Sequence, residues 1–597
     1  MKSRSARVTA RRRTVVALAA VVVIVGAFTV RLLDIQVVHA QENLDNRAAL
    51  TGITTTQPLY GTRGTITDTN GVVLASSTRS YTAKFDPMNV KDLDITNEDG
   101  SKTTLTWDDA AEKIGAIVGT STTAVQKIVQ DALDSNPESR YAQLATGLSA
   151  QQYRDLLALG LPYLAFESEQ SRAYPNGAVA GNLLGFITQD GTESGLEAAE
   201  DACLASSDGS LTYQRGAGGL MIPGTEETTA AVDGGTVKTT IDSDLQFYMQ
   251  QMIAEETQTQ QAQHGNVLVV DVKTGAVRAA AEYPTVDPND YSATDADDRG
   301  SHIFTDTFEP GSTFKALTAA ALLDSGSVDL DTDHVVASSS EEFANGAVLG
   351  DSFVHGDYDY TLTGVLIDSS NVGISKFADM MDDSTRYDYL EKFGVGQTTD
   401  IDFPGEATGL LYPSDQWDAQ THYATAFGQG LTVTMPQVVG AYQALANGGV
   451  KEPLHIVESC TDADGNVTTP ELSEPTRVVS EDTANTVIEM LENVYTQGSN
   501  HDAVAVDGYR IGIKTGTAQK PDGNGGYKDG VYYTSMMSVF PADDPQYIVM
   551  VTLDEPTRVT SSAANASAMH KAIQQVLKTY AIEPSDEPAP ELPKYHE

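Results

Sequence analysis

The sequence predicts an α+β protein carried on a single N-terminal membrane helix, and three observations support that reading. An uncharged apolar run, Thr14 to Val30, follows a flank containing Lys2, Arg4, Arg7, Arg11, Arg12 and Arg13. The second half of the chain runs helix, strands, a long helical middle, strands, helix, an order that suits an antiparallel sheet with helices segregated around it. At 597 residues the chain is long for one core, so two or three folded units are expected.

As a helix, Thr14 to Val30 spans about 26 Å at 1.5 Å per residue, close to the hydrocarbon thickness of a bilayer, and Leu32 and Leu33 extend it. Residues 1–13 therefore read as a basic cytoplasmic tail and 14–33 as a single-pass transmembrane helix, with everything beyond outside the cell. Val38-His39-Ala40 has the small-residue pattern of a signal-peptide cleavage site. The apolar Ile35, Val37 and Val38 favour a continuing helix over cleavage. A formal net charge of -46 repels polyanions and excludes nucleic acid as a natural partner. The two cysteines, Cys203 and Cys460, are too few for a disulfide framework or a Cys-rich zinc site. Two unpaired, partly buried thiols are expected, and one bridge stays open.

Residues 34–233 read as an extracytoplasmic pedestal module of mixed strands and helices. Gly64 to Ala75 predicts strand, turn, strand, because Asn70-Gly71 supplies left-handed residues for a tight hairpin. A Gly-rich, acidic passage from Ser206 to Gly235 leads to a boundary near its end. The catalytic candidates then fall in residues 234–582. Leu245, Met249, Met252 and Ile253 have helical spacing, Val267 to Asp271 and Val549 to Leu553 are strand-like, and Met569, Ile573, Val576, Leu577 and Tyr580 share one helix face. Residues 583–597, with Pro584, Pro588, Pro590 and Pro593, are expected to form a disordered tail.

Phe308-Glu309-Pro310-Gly311-Ser312-Thr313-Phe314-Lys315 opens a helix with Ser312 at its start. Lys315 follows one turn on, about 4.5 Å along the axis, within reach of the Ser312 hydroxyl. A hydroxyl needs a base held against it to act as a nucleophile, and lysine serves only when burial or a nearby cation keeps it neutral. Downstream come Ser369-Ser370-Asn371 and the strand-like Tyr509 to Thr517, with Ile511 and Ile513 alternating inward, which contains Lys514-Thr515-Gly516-Thr517. Ser369 can pass a proton between Lys315 and a leaving amine, and Asn371 can hold a substrate carbonyl. Lys514 and Thr515 can bind a terminal carboxylate. Gly516 lets a substrate backbone approach the strand edge, and the backbone N-H groups of Thr517 and Ser312 can form an oxyanion hole. A second Lys-Thr-Gly, Lys273 to Gly275, sits between two short strands and reads as a turn whose lysine faces solvent. No metal or cofactor is expected, since the chain lacks a metalloprotease helix, a P-loop and paired cysteines.

This ordered trio, together with Arg63-Gly64-Thr65-Ile66-Thr67-Asp68, Arg172-Ala173-Tyr174-Pro175, Gly195-Leu196-Glu197, Phe427-Gly428-Gln429-Gly430 and Ala446-Asn447-Gly448-Gly449, resembles the class B penicillin-binding proteins. The resemblance implies a penicillin-binding transpeptidase domain behind a dimerisation-type pedestal. It also implies a D,D-transpeptidase that cross-links peptidoglycan stem peptides through a Ser312 acyl-enzyme and is inhibited by β-lactam antibiotics. Implied partners are a membrane-embedded glycan polymerase and other division proteins, and the short passage Gln189 to Glu200 resembles the septal rather than the elongation type. Ala198-Ala199-Glu200, Thr434-Met435-Pro436 and Ser561-Ser562-Ala563-Ala564 depart from the family pattern without touching the trio. A carboxypeptidase or β-lactamase-like hydrolase would use the same residues, and a non-catalytic β-lactam-binding scaffold would keep the pocket without turnover.

Overall fold

Helix α1, Ser3–Leu33, is the only described helix with a stretch long and apolar enough to cross a membrane, over Arg13–Leu32, and its apolar side chains from Val15 to Leu32 are exposed. It belongs to a computed structural model that describes residues 3–33, 53–96, 102–188, 191–215 and 221–596. Val38-His39-Ala40 lies outside these residues, as do Gln189 and Asp190 at the start of the passage compared with the septal type. The chain divides into two units, Met1–Thr62 with Ser206–Asp233, and Arg63–Ala205 with Gly234–Glu597. The first contains α1 and an antiparallel sheet of Ile53–Leu59, Gly209–Arg215 and Glu227–Thr229. In the second, residues 63–205 share a unit with the part that carries the catalytic candidates, although the sequence places a boundary near residue 233.

The second unit starts with the hairpin expected at Gly64 to Ala75, made by β1 (Thr65–Thr67) and β2 (Val73–Phe85). Only Gly71 takes the left-handed conformation there, with φ +84°. Buried Asp68 closes the turn by accepting from the N-H groups of Asn70 and Val72, both at 2.8 Å. Helices α2 (Trp107–Val118) and α3 (Thr122–Ser135) are capped by the Thr106 and Ser121 hydroxyls. With β3 (Ala142–Leu148), α4 (Ala150–Ala158) and β4 (Leu164–Ala173), they enclose a small separate core around Phe85, Ile114, Val125 and Tyr163. Short helices α5 (Gly195–Ala199) and α6 (Asp201–Leu204) precede β5 (Thr236–Thr239), which pairs in parallel with β1.

The pedestal landmarks converge on one buried carboxylate. Glu197, fully buried on α5, accepts from Arg63 Nε at 2.9 Å and from Arg172 Nε at 2.6 Å, while Arg63 Nη2 donates to its backbone carbonyl at 2.7 Å. A carboxylate out of water is tolerable only when charged donors surround it.

Helix α7 (Ser243–Gln260), capped by Asp242, buries Leu245, Met249, Met252 and Ile253 as their spacing predicts. It precedes β6 (His264–Asp271) and β7 (Val277–Tyr283). A helical region follows, with α8 (His302–Thr305), α9 (Lys315–Asp324), α10 (Leu362–Asp368), α11 (Asn371–Ala378) and α12 (Met435–Ala446), then β8 (Val457–Thr461) and α13 (Glu481–Gln497). The chain returns as β9 (Gly512–Pro521), β10 (Tyr527–Phe540) and β11 (Tyr547–Asp554) and closes with α14 (Ala566–Thr579). Strands β7-β6-β11-β10-β9 form the expected antiparallel sheet, with β9 at one edge.

Two expectations are corrected. Cys203, on α6, and Cys460, on β8, form a disulfide rather than two thiols, their Cα atoms 6.1 Å apart and 257 residues apart in sequence. Sequence separation cannot reveal that α6 and β8 are neighbours. Residues 583–597, expected to be disordered, instead lie against folded elements over the described part. The carbonyls of Pro590 and Leu592 accept from Asn493 and Gln497 on α13, Pro593 O accepts from Thr361 Oγ1 at 2.7 Å, and Lys594 pairs with Asp368 at 2.6 Å. The prolines that forbid a core of the tail's own also keep it extended, so its carbonyls are free to accept.

Glu197→Gln removes the charge from between two guanidinium groups, and a cost of about 3–5 kcal/mol is expected, as for other broken buried ion pairs. Urea unfolding followed by tryptophan fluorescence and circular dichroism tests this, and an unchanged midpoint would mean that the triad contributes no stability.

Candidate active site

Ser312 lies in a single 3₁₀ turn, Gly311–Phe314, that runs directly into α9. Gly311 takes φ +59°, and a Cβ at Gly428 would stand 2.3 Å from the Gly311 carbonyl, so the Phe427-Gly428-Gln429-Gly430 landmark is a close backbone contact that fixes the turn. Glu309 strengthens it, accepting from Gly430 N at 2.9 Å and from Tyr527 Oη at 3.1 Å. Tyr442 Oη donates to Thr313 O at 2.7 Å from α12.

Lys315, at the first position of α9, is fully buried, and its Nζ lies 2.9 Å from Ser312 Oγ. The same atom is 3.2 Å from Ser369 Oγ and 2.7 Å from Asn371 Oδ1. Lys514, on edge strand β9, is also fully buried, with Nζ 2.9 Å from Ser369 Oγ and 3.2 Å from Thr515 O. The Ser369 hydroxyl therefore stands between two amines. Burial first, and the charge of Lys514 second, push Lys315 well below the ordinary lysine range. Burial lowers Lys514 to about 7. Two ammonium ions cannot share one dry hydroxyl without strong repulsion, so Lys315 gives up its proton and can accept one from Ser312.

Ser369 ends α10 in the left-handed conformation, φ +55°, a strained position for a residue with a side chain. Ser370 then caps α11, accepting from Gly373 N at 2.8 Å. This corner is held by Asp351, which the sequence reading did not identify. Its carboxylate accepts from Ser370 Oγ at 2.7 Å, Asn371 N at 2.6 Å and Val372 N at 3.0 Å, and lies 2.9 Å from His355 Nε2. A lone aspartate between two short strands carries no periodic or motif signal, and only the fold brings it to the start of α11.

The structure thus gathers Ser312, Lys315, Ser369, Asn371 and Lys514 into one cluster, with Thr515, Gly516 and Thr517 following along β9. The strand differs from expectation in two respects. Ile511, Gly512, Ile513 and Lys514 are all buried, because α13 packs over the start of the strand and removes the alternation. At Gly516 a Cβ would lie 2.9 Å from Pro310 O and 3.2 Å from Thr313 Cγ2, so the glycine admits the protein's own Ser312 turn. Lys273 follows β6 in an exposed turn whose N-H groups are capped by Asp271.

Asp351→Asn should cost about 2–4 kcal/mol, because hydrogen bonds to a buried charge are worth more than neutral ones and an amide cannot accept on both sides. A fall in the thermal unfolding midpoint checks this, and an unchanged midpoint would show that the corner stands without the carboxylate.

Residues 265–575 match the penicillin binding protein transpeptidase domain, and residues 58–239 match the penicillin-binding protein dimerisation domain. The chain is 35% identical to penicillin-binding protein PbpB of Mycolicibacterium smegmatis over 554 residues, covering 89% of this chain and 85% of the relative. It is 30% identical to peptidoglycan D,D-transpeptidase FtsI of Escherichia coli over 539 residues, covering 88% and 85%. The crystal structure of penicillin binding protein 3 from Mycobacterium tuberculosis, complexed with ampicillin, superposes with a TM-score of 0.69 at 28% identity, covering 91% of this chain and all of that one. With both domains matched and the likeness running through most of its length, the chain belongs to the class B penicillin-binding proteins.

Proposed function

We propose that this chain is the septal peptidoglycan D,D-transpeptidase of its cell, anchored by α1 with its amino terminus in the cytoplasm and its catalytic part outside. The observation that carries the mechanism is the position of Lys315 Nζ, within hydrogen-bond distance of Ser312 Oγ, Ser369 Oγ and Asn371 Oδ1 at once. Neutral Lys315 takes the Ser312 proton as Oγ attacks the carbonyl between the last two D-alanines of a stem peptide. The backbone N-H groups of Ser312 and Thr517 hold the oxyanion. As the C-N bond breaks, the proton passes from Lys315 through Ser369 to the departing D-alanine amine. The amine of a neighbouring stem then attacks the acyl-enzyme, and its lost proton returns to Ser312 by the same route. Asn371 orients the donor peptide, while Lys514, Thr515 and the β9 edge around Gly516 bind the terminal carboxylate and backbone.

A β-lactam presents a strained amide to the same Ser312. The basic flank of α1 supports the orientation, and a disulfide is at home in an oxidising exported compartment. The septal role follows the likeness to that branch of the family, and a membrane-embedded glycan polymerase with other division proteins are the partners it entails.

A membrane-impermeant fluorescent penicillin added to intact cells should label the protein at midcell, and peptide mapping should find the adduct on Ser312. A label on another serine, or labelling only after lysis, would overturn the mechanism or the orientation. Lys514→Ala should slow Ser312 acylation by at least about a hundredfold, the scale of losing one positioned charged contact. Lys273→Ala should stay within about threefold, as expected of a surface substitution. An equal loss in both variants would refute the assignment of the second motif to catalysis.

A further inference from the structure

We propose that His264, His302 and Asp298 form a binding site for one divalent transition-metal ion of the zinc class, separate from the serine chemistry. His264 begins β6, His302 begins α8, and Asp298 ends a 3₁₀ turn, Ala296–Asp298. Their ligand atoms lie within 4.8 Å of one another. Asp298 Oδ1 is 3.1 Å from His264 Nε2 and 3.7 Å from His302 Nε2. Ligands about 2.0–2.1 Å from a tetrahedral zinc ion stand about 3.3 Å apart, and the two oxygen–nitrogen separations lie close to that spacing.

Two further observations point to a cation. His302 Nε2 is buried and has no hydrogen-bond partner, although it faces the carboxylate oxygen. Each imidazole also turns its other nitrogen to a carboxylate, His302 Nδ1 to Asp306 at 2.8 Å and His264 Nδ1 to Asp554 at 3.7 Å. An outer carboxylate behind each ligating histidine fixes the ring and raises its basicity, a recurrent feature of metal sites. Asp298, Asp306 and Asp554 bring three negative charges to the cluster. Lys520, paired with Asp554 at 2.8 Å, is the ammonium that faces them. Lys520 also pairs with Glu555 at 3.1 Å, and Glu282 accepts from His302 N at 2.7 Å, so the carboxylates around the cluster outnumber this ammonium and favour a cation.

A cleft of about 380 Å³ lined by His264, His302, Asp306 and Lys520 opens beside the cluster, giving an ion an entry path and room for a water or carboxylate at its open position. The ion would staple the segment that leads through Phe308 to Ser312 onto strand β6. Its role is to hold that segment rather than to take part in acylation.

The full chain, purified in detergent and stripped with a chelator, is titrated with Zn²⁺ by calorimetry and with Co²⁺ by visible absorption. One ion per chain is expected, with the intense absorption of tetrahedral Co²⁺. His264→Ala and His302→Ala should each weaken binding by at least about a hundredfold, at or beyond the upper range for loss of an outer-shell partner. In the unsubstituted protein, Zn²⁺ should protect His264 and His302 from diethyl pyrocarbonate, read by peptide mass mapping, which keeps the test independent of the variants' folding. Absence of binding would overturn the proposal. So would loss of binding in His596→Ala alone, which would move the site to the more exposed cluster of His334, Asp359 and His596.

Discussion

Burying two lysine amines against one serine hydroxyl is the constraint on which the catalytic part of this fold depends. An ammonium ion taken out of water must find a full set of acceptors or lose its proton. Lys315 and Lys514 both touch Ser369 Oγ, so the cheapest state has at most one charge between them. That state leaves Lys315 basic beside Ser312, the condition the proposed acylation needs, and it is also the state in which the pair is tolerable to bury.

Holding such a cluster takes three rigid parts that meet at one point. The edge strand β9 presents Lys514, the turn into α9 presents Ser312 and Lys315, and the corner between α10 and α11 presents Ser369 and Asn371. The strand and the turn fit together because Gly516 leaves room for the Pro310 carbonyl, and the turn is pinned from behind by Gly428 and Glu309. The corner depends on Asp351, whose negative charge sits at the start of α11, where unpaired N-H groups and the helix dipole favour it. Positioning of this kind, rather than unusual reactivity of any single group, is what a weak nucleophile such as a serine hydroxyl requires.

Much of this was legible in the sequence, and where it was not the reason is physical. Ser312 and Lys315 could be paired because helical rise is fixed, and the hairpin around Gly71 because a tight turn demands a left-handed residue. The helices at either end of the catalytic part declared themselves by the spacing of Leu245 to Ile253 and of Met569 to Leu577. Asp351, Glu309 and the Cys203–Cys460 bridge act through contacts between segments far apart in the chain, which no local pattern encodes. At the start of β9 the alternation rule failed because a helix covers the strand, so Lys514 is buried alongside Ile511 and Ile513. The proline-rich tail misled for a related reason: its composition rules out a core of its own but says nothing about a surface already waiting for it.

That tail bears on the order of events during synthesis. Helix α10, which ends in the strained Ser369, is gripped from outside by Pro593 and Lys594, with the Lys594 carbonyl lying where a side chain at Gly364 would otherwise stand. The ribosome delivers these residues more than two hundred positions after the helix they secure. Ser312, both lysines and the whole sheet are therefore made before the residues that restrain the helix ending at Ser369. The corner that carries Ser369 thus takes its outer restraint from a segment remote in sequence and not from its own neighbours.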